Sequence, residues 1–278
     1  MGLKLTRRAP GIDGAILGGN TVTLRLPIGL TFHQVYFDYA FLATATPLSL
    51  ADAVSEIRVN YNGKPSWNIR ANELDSINQY QSRAAADGVT GILTVDFDRY
   101  NMRTRAAEEF TSIGTGMAGD PTPLTTFTIE LDLKAAVTSG TLSARMRQSE
   151  SRPLSFFKKI RRYVNAFGGA GTFEIDDFPK GDLINAVHFF ESANDIDRLR
   201  LERDDFVMFD RTKELNARIQ SDGVRTPQAN LFVFDTAEDG NGTDQFVTKG
   251  VNDMRWFLEI DGAMTVTSLV EYLGTLEV

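Results

Sequence analysis

Short stretches of this chain alternate polar and apolar residues with period two, and they do so twice over in the same order. TVTLRL (21–26), VYFDYAF (35–41), EIRVNY (56–61), ILTVDF (92–97) and TFTIELDL (126–133) make the first series. TFEIDDF (172–178), AVHFF (186–190), RLRLER (198–203), NLFVFD (230–235), RWFLEID (255–261) and SLVEYLG (268–274) make the second. Alternation buries one face of a strand, and the Val, Ile, Phe, Tyr and Thr at these positions suit a pleated surface. Many short strands with turn residues between them must cover their apolar faces against one another, which is the logic of a β-sandwich. Helical spacing is confined to about 70–86, 103–110, 156–167 and 211–220.

The two series run in parallel. LPIG at 26–29 returns as FPKG at 178–181, and each precedes a strand. EIRVNY is matched by RLRLER, the helical NEL (72–74) by KEL (213–215), LTV (93–95) by LFV (231–233), and IELD (129–132) by LEID (258–261). The offset shrinks along the chain, from 178 − 26 = 152 to 260 − 131 = 129. Order is kept while loops shorten, so the sequence predicts a duplicated sandwich.

FFKKIRRYVNAFGG at 156–169 falls at the junction. The chain carries a net charge of -8, yet Lys158, Lys159, Arg161 and Arg162 cluster here, with no acidic residue between Glu150 and Glu174. Phe156, Ile160, Val164 and Phe167 recur at helical spacing, and Asn165 with Gly168-Gly169 supplies a stop. The expectation is a basic amphipathic linker helix between two like domains. Lys4, Arg7 and Arg8 form a second basic group at the N-terminus. Net acidity argues against binding nucleic acid over the whole surface, because phosphate recognition needs clustered positive charge.

Catalytic signatures are few. With no Cys there is neither a disulfide nor a thiol nucleophile, and two His residues are too few for two cupin-like metal sites. His33 and His188 are expected at the surface or rim. Gly114-Thr-Gly116-Met-Ala-Gly119 fits GxGxxG, but Asp120-Pro121-Thr-Pro123 blocks the helix that a phosphate loop must open, so a flexible loop is expected. Asp176-Asp177 and Asp204-Asp205 are neighbours that a strand turns to opposite faces, not acid/base pairs. The loop DTAEDGNGTD offers Asp235, Glu238, Asp239, Asn241 and Asp244 as hard oxygen ligands, a candidate calcium site. No apolar run is long enough to span a bilayer.

Three segments carry a resemblance. LRLPIGLTFHQVYFDYA (24–40), FFKKIRRYVNAFGGAGTFEIDDFPKG (156–181) and SLVEYLG (268–274) resemble the major capsid proteins of corticoviruses, members of the double jelly-roll class from tailless icosahedral viruses with an internal membrane. The resemblance implies an all-β fold of two tandem eight-stranded jelly-rolls. The first would occupy 1–150 with a basic N-terminal arm, the linker helix 151–171, and the second jelly-roll 172–278. It implies a homotrimer of pseudo-hexagonal outline. Such trimers tile a virion shell around a membrane and a double-stranded DNA genome, beside penton and minor capsid or membrane proteins. It implies no catalytic residues, no sequence-specific nucleic-acid contact, assembly in the host cytoplasm, and an association with calcium. On that placement Lys4, Arg7, Arg8, Lys158, Lys159, Arg161 and Arg162 are expected to face the membrane. The competing reading is a tandem β-sandwich that binds carbohydrate or a receptor, as a lectin or viral spike does, with Trp67 and Trp256 on loops stacking on sugars.

Overall fold

A computed structural model describes residues 3–87, 91–116, 123–193 and 195–276. The strands are β1 (Leu5–Arg8), β2 (Ile12–Asp13), β3 (Thr21–Arg25), β4 (Thr31–Ala43), β5 (Thr46–Pro47), β6 (Val54–Tyr61), β7 (Lys64–Ile69), β8 (Ile92–Asp96), β9 (Ile113–Gly114), β10 (Phe127–Leu133), β11 (Ser139–Ser149), β12 (Phe157–Phe167), β13 (Gly171–Ile175), β14 (Leu183–Glu191), β15 (Ile196–Arg203), β16 (Phe206–Thr212), β17 (Leu231–Asp235), β18 (Met254–Ile260) and β19 (Met264–Gly274). The α-helices are α1 (Leu50–Ala53), α2 (Ala71–Tyr80), α3 (Arg105–Glu108) and α4 (Lys213–Gln220). The chain divides into two compact units: unit 1 holds 1–79, 83–160 and 274–278, and unit 2 holds 80–82 and 161–273.

Unit 2 shows its plan most plainly. One sheet runs β17-β14-β19-β12 and the other β13-β18-β15-β16. Strands β13 to β19 pair antiparallel with one another. Alternate residues of both sheets meet in one core: Val187, Phe189, Phe232 and Val270 from the first, Leu199, Leu201, Trp256 and Leu258 from the second. Phe189, Phe234 and Phe178 surround the Trp256 ring with centroids 5.2 to 5.8 Å away. Numbered from β12, the strand order is first-eighth-third-sixth over second-seventh-fourth-fifth, which is a jelly-roll.

Unit 1 repeats that order. Its sheets run β1-β11-β4-β8 and β3-β10-β6-β7, with β5 and β9 added on β4 and β2 on β3. Phe127 at the core meets Phe32, Tyr61 and Phe97 at 5.2, 5.2 and 5.5 Å. Three of the matched sequence pairs lie on equivalent strands: EIRVNY and RLRLER on β6 and β15, LTV and LFV on β8 and β17, IELD and LEID on β10 and β18. NEL and KEL fall on α2 and α4, each linking the fifth strand to the sixth.

The LPIG and FPKG turns hold a shared device that the sequence does not announce. Gly29 and Gly181 have φ of 125° and 130°, a region closed to most side chains. The Gly29 N–H donates to Thr115 Oγ1 at 2.7 Å, and that hydroxyl donates to the Leu30 carbonyl at 2.6 Å. The Gly181 N–H donates to Thr248 Oγ1 at 2.7 Å, and that hydroxyl donates to the Asp182 carbonyl at 2.6 Å. Both threonines are buried, so each hydroxyl is held in place to bridge an N–H and a carbonyl of its turn.

The linker helix is a correction. Residues 157–167 form β12, the first strand of the second jelly-roll, and the unit boundary falls inside it, between Ile160 and Arg161. A spacing of four residues is even, so it holds to one face of a strand as well as of a helix. Tyr163 and Phe167 use it that way, packing on Phe178 and Phe173 at 5.0 and 4.6 Å, while Val164 between them is exposed. Sequence pattern also missed β1, β7, β11 and β16, whose apolar residues are sparse or do not alternate.

Candidate functional site

The two basic groups picked out in the sequence occupy one structural position twice. β1 opens the first jelly-roll and β12 opens the second. Lys4–Arg8 and Lys158–Arg162 therefore lie at equivalent strands. Their side chains divide into two sets.

Lys4, Lys158 and Lys159 are turned into the protein. Lys4 Nζ donates to Asp98 Oδ2 at 2.8 Å and to Glu108 Oε1 at 3.1 Å, with Glu109 Oε1 at 3.3 Å. Lys158 Nζ donates to the Asp98 carbonyl at 2.8 Å and lies 5.7 Å from the centre of the Trp67 ring. Lys158 and Lys159 are 5% and 7% exposed, which removes them from any external surface. The expectation that these three lysines face a membrane is corrected accordingly. Asp98 holds Lys4 through its carboxylate and Lys158 through its backbone carbonyl, because a buried ammonium is tolerated only where it is paired.

Asp98 is the centre of that pairing. His33 Nδ1 lies 3.0 Å from both carboxylate oxygens, and His33 Nε2 lies 2.8 Å from Ser149 Oγ. Burial alone would raise the Asp98 carboxyl, but the hydrogen bonds and charges of His33 and Lys4 hold it below the usual carboxylate value. Burial would lower Lys4, and Asp98 and Glu108 raise it instead. Asp96, accepting from Gln34 and paired with Arg83, is pushed up by burial despite Lys158 and Arg83. His33 is thus a buried core residue, and so is His188, 3.1 Å from Glu271 Oε1 in unit 2; neither is at the rim.

Arg7, Arg8 and Arg161 are exposed, and Arg162 is half-buried and engaged elsewhere in the protein. β11 adds a residue that sequence pattern missed. Arg8 pairs across the ladder with Arg145, so both point to one face, and Arg145 is exposed. β11 gave no warning, because its register is visible only once β1 and β4 flank it.

The acidic loop is dispersed. Asp235 accepts from Arg225 Nε at 2.6 Å and from Tyr80 Oη at 3.2 Å. Glu238 holds both arms of Arg211, at 2.9 and 2.6 Å. Asp239 and Asp244 are exposed and Asn241 half-buried. Among the described residues no three His, Cys, Asp or Glu side chains are grouped to hold a metal ion. In the GxGxxG segment, Met117–Gly119 lie outside the described residues. A Cβ on Gly114 would sit 2.2 Å from the Pro153 carbonyl oxygen, and one on Gly116 would sit 2.4 Å from Ser151 Oγ, so these glycines serve close packing. Trp67 and Trp256 are 2% and 0% exposed, on β7 and β18, and offer no ring to a sugar.

The sequence model of the viral coat protein P2 N-terminal domain matches residues 7–149, and that of the P2 C-terminal domain matches 157–276. The chain belongs to the viral coat protein P2 family. These two matches meet around β12, where the second jelly-roll begins. The crystal structure of the major capsid protein P2 from bacteriophage PM2 aligns with a TM-score of 0.85 at 21% identity, over 99% of this chain and 98% of that one. A chain in the atomic structure of Sulfolobus turreted icosahedral virus aligns with a TM-score of 0.69 at 9% identity, over 99% and 91%. The PBCV-1 virus capsid gives 0.61 at 8% identity, over 98% and 93%. These likenesses show a double jelly-roll fold in this P2-family chain. No curated protein sequence matches it.

Proposed function

We propose that this chain is the major capsid protein of a tailless icosahedral virus with an internal membrane. Its copies form pseudo-hexagonal trimers, which tile a shell around that membrane and a double-stranded DNA genome beside penton and minor proteins. Assembly takes place in the host cytoplasm and the product resides in the virion. The observation that carries this is the match of both coat-protein domains, in order, to two jelly-rolls of the same strand order. Six similar wedges per trimer suit six-fold packing. The role is that of a building block and not of an enzyme: His33, His188 and the buried carboxylates beside them are spent on holding strands together. The lectin or spike reading loses its motivating residues with the burial of Trp67 and Trp256.

Membrane contact, in this reading, is peripheral. It falls to Arg7, Arg8 and Arg145 of unit 1 and Arg161 of unit 2, each contributing about 1 kcal/mol near an anionic surface and screened by salt. No helix among the described residues is long and apolar enough to cross a bilayer. Light scattering and electron microscopy of the purified chain test the function. Trimers that order into lattices are expected; a monomer over a wide dilution range would overturn it.

A further inference from the structure

The fifth strand of each jelly-roll ends its sheet, and the two copies are treated differently. In unit 1 the outer edge of β7 is sealed by Phe157–Ile160, the start of β12. Ile160 pairs in parallel with Trp67, and Trp67 Nε1 donates to the Lys158 carbonyl at 2.7 Å. In unit 2 the equivalent strand is β16, and among the described residues nothing pairs with its outer edge. The ladders fix the correspondence: Trp67 stands opposite Val59 and Phe209 opposite Leu201, and Val59 and Leu201 are matched in EIRVNY and RLRLER. Phe209 thus stands where Trp67 stands, and it is half-buried against the unit 2 core. The residues before it are open: Met208 is 45% exposed, Phe206 73% and Val207 54%. Leu215 and Ile219 of α4 are exposed as well. An unpaired edge with consecutive exposed apolar residues is a template for another strand.

The covering strand of unit 1 identifies the missing one. β12 opens the second jelly-roll, and β1 is the strand that opens the first. β1 also ends its sheet, and Leu3 and Leu5 at its start are exposed, while Lys4 between them is anchored to Asp98. Charge separates the candidate partners. Unit 1 holds 17 Lys and Arg against 16 Asp and Glu, a net +1; unit 2 holds 12 against 21, a net −9. All of the chain's acidity lies in unit 2, so two such units repel. The β1 strand, with Arg7 and Arg8 exposed beside the apolar pair, is attracted.

We propose that the outer edge of β16 takes β1 of a second copy of this chain, with Leu3 and Leu5 packing on Phe206, Val207 and Met208, as β7 takes the start of β12. The contact is head-to-tail, since different surfaces meet, and such a contact closes into a ring when its rotation allows. It rests on the capsid reading and names the surface through which copies join.

The chain lacks cysteine, so engineered pairs report without background. Neighbouring strands lie about 4.7–4.9 Å apart, which is within the Cα range of a disulfide. The double variant Leu5→Cys/Met208→Cys, oxidised and run without reductant, is expected to give dimer and trimer bands. The control Leu17→Cys/Met208→Cys is expected to stay at monomer size. In parallel, Phe206→Asp/Met208→Asp is expected to fall to lower mass in light scattering with its circular dichroism spectrum intact. Monomer bands from the first pair, in material that scattering shows to be trimeric, would overturn this contact and leave the capsid reading standing. A wild-type chain that scatters as a monomer would overturn both.

Discussion

Lys158 is the residue at which sequence and structure make opposite predictions, and Lys158→Met separates them. If its ammonium faced lipid, the change would weaken binding to anionic vesicles and leave melting alone. The structure sets it inside unit 1, donating to the Asp98 carbonyl at 2.8 Å and lying 5.7 Å from the Trp67 ring centre. A hydrogen bond from a charged donor is worth about 1.5–3 kcal/mol. A desolvated cation over an aromatic face adds roughly 0.5–2 kcal/mol. Methionine keeps the aliphatic stem in place, so no cavity term enters. Asp96 also loses a positive neighbour that offsets its burial. The expected loss is about 2–4 kcal/mol, which for a chain of this size lowers the melting temperature by about 5–12 °C. Arg161→Gln, three residues on and exposed, should move it by less than about 2 °C. Differential scanning calorimetry beside vesicle flotation reads both quantities. A Lys158→Met protein that melts within about 2 °C of wild type would refute the buried-anchor reasoning.

Thr115→Val and Thr248→Val should each cost about 1–2 kcal/mol in denaturant unfolding, since each removes a hydroxyl that bridges a backbone N–H and a carbonyl of its turn. The double variant should be near additive, because the two clamps share no partner. Asp98 and Glu109 are held below the ordinary carboxylate value in the folded chain, so the stability they contribute is full above about pH 4 and is lost as pH falls through their lowered values. Melting followed from about pH 5 to pH 2 should show that loss, and Asp98→Asn should flatten the fall while lowering stability at neutral pH. Calcium titrated against shell stability should act equally on wild type and Asp239→Asn/Asp244→Asn, because Asp235 and Glu238 are already neutralised by Arg225 and Arg211; a calcium response lost in the variant would restore the loop as a site. Arg7→Gln/Arg8→Gln/Arg145→Gln should lose salt-sensitive flotation with anionic vesicles at unchanged melting, and retained flotation would remove these arginines from membrane contact.

The duplicated all-β plan was legible because it rests on local information. Period two at EIRVNY and RLRLER, or at IELD and LEID, is set by which face each residue must bury, and a chain records that in its order alone. NEL and KEL marked the same helix twice for the same reason. The tertiary structure decided what depends on partners distant in sequence. β12 carried a spacing common to strand and helix, and only pairing with β19 and packing of Tyr163 and Phe167 on Phe178 and Phe173 selected the strand. The direction of Lys4 and Lys158 was fixed by Asp98, 94 and 60 residues away. Asp235 and Glu238 looked free in the sequence because Arg225 and Arg211 reach them only across the fold. A charge in a sequence has a sign but no address. Burial and long-range pairing supply the address, and they left Arg7, Arg8, Arg145 and Arg161 outside while drawing the three lysines in.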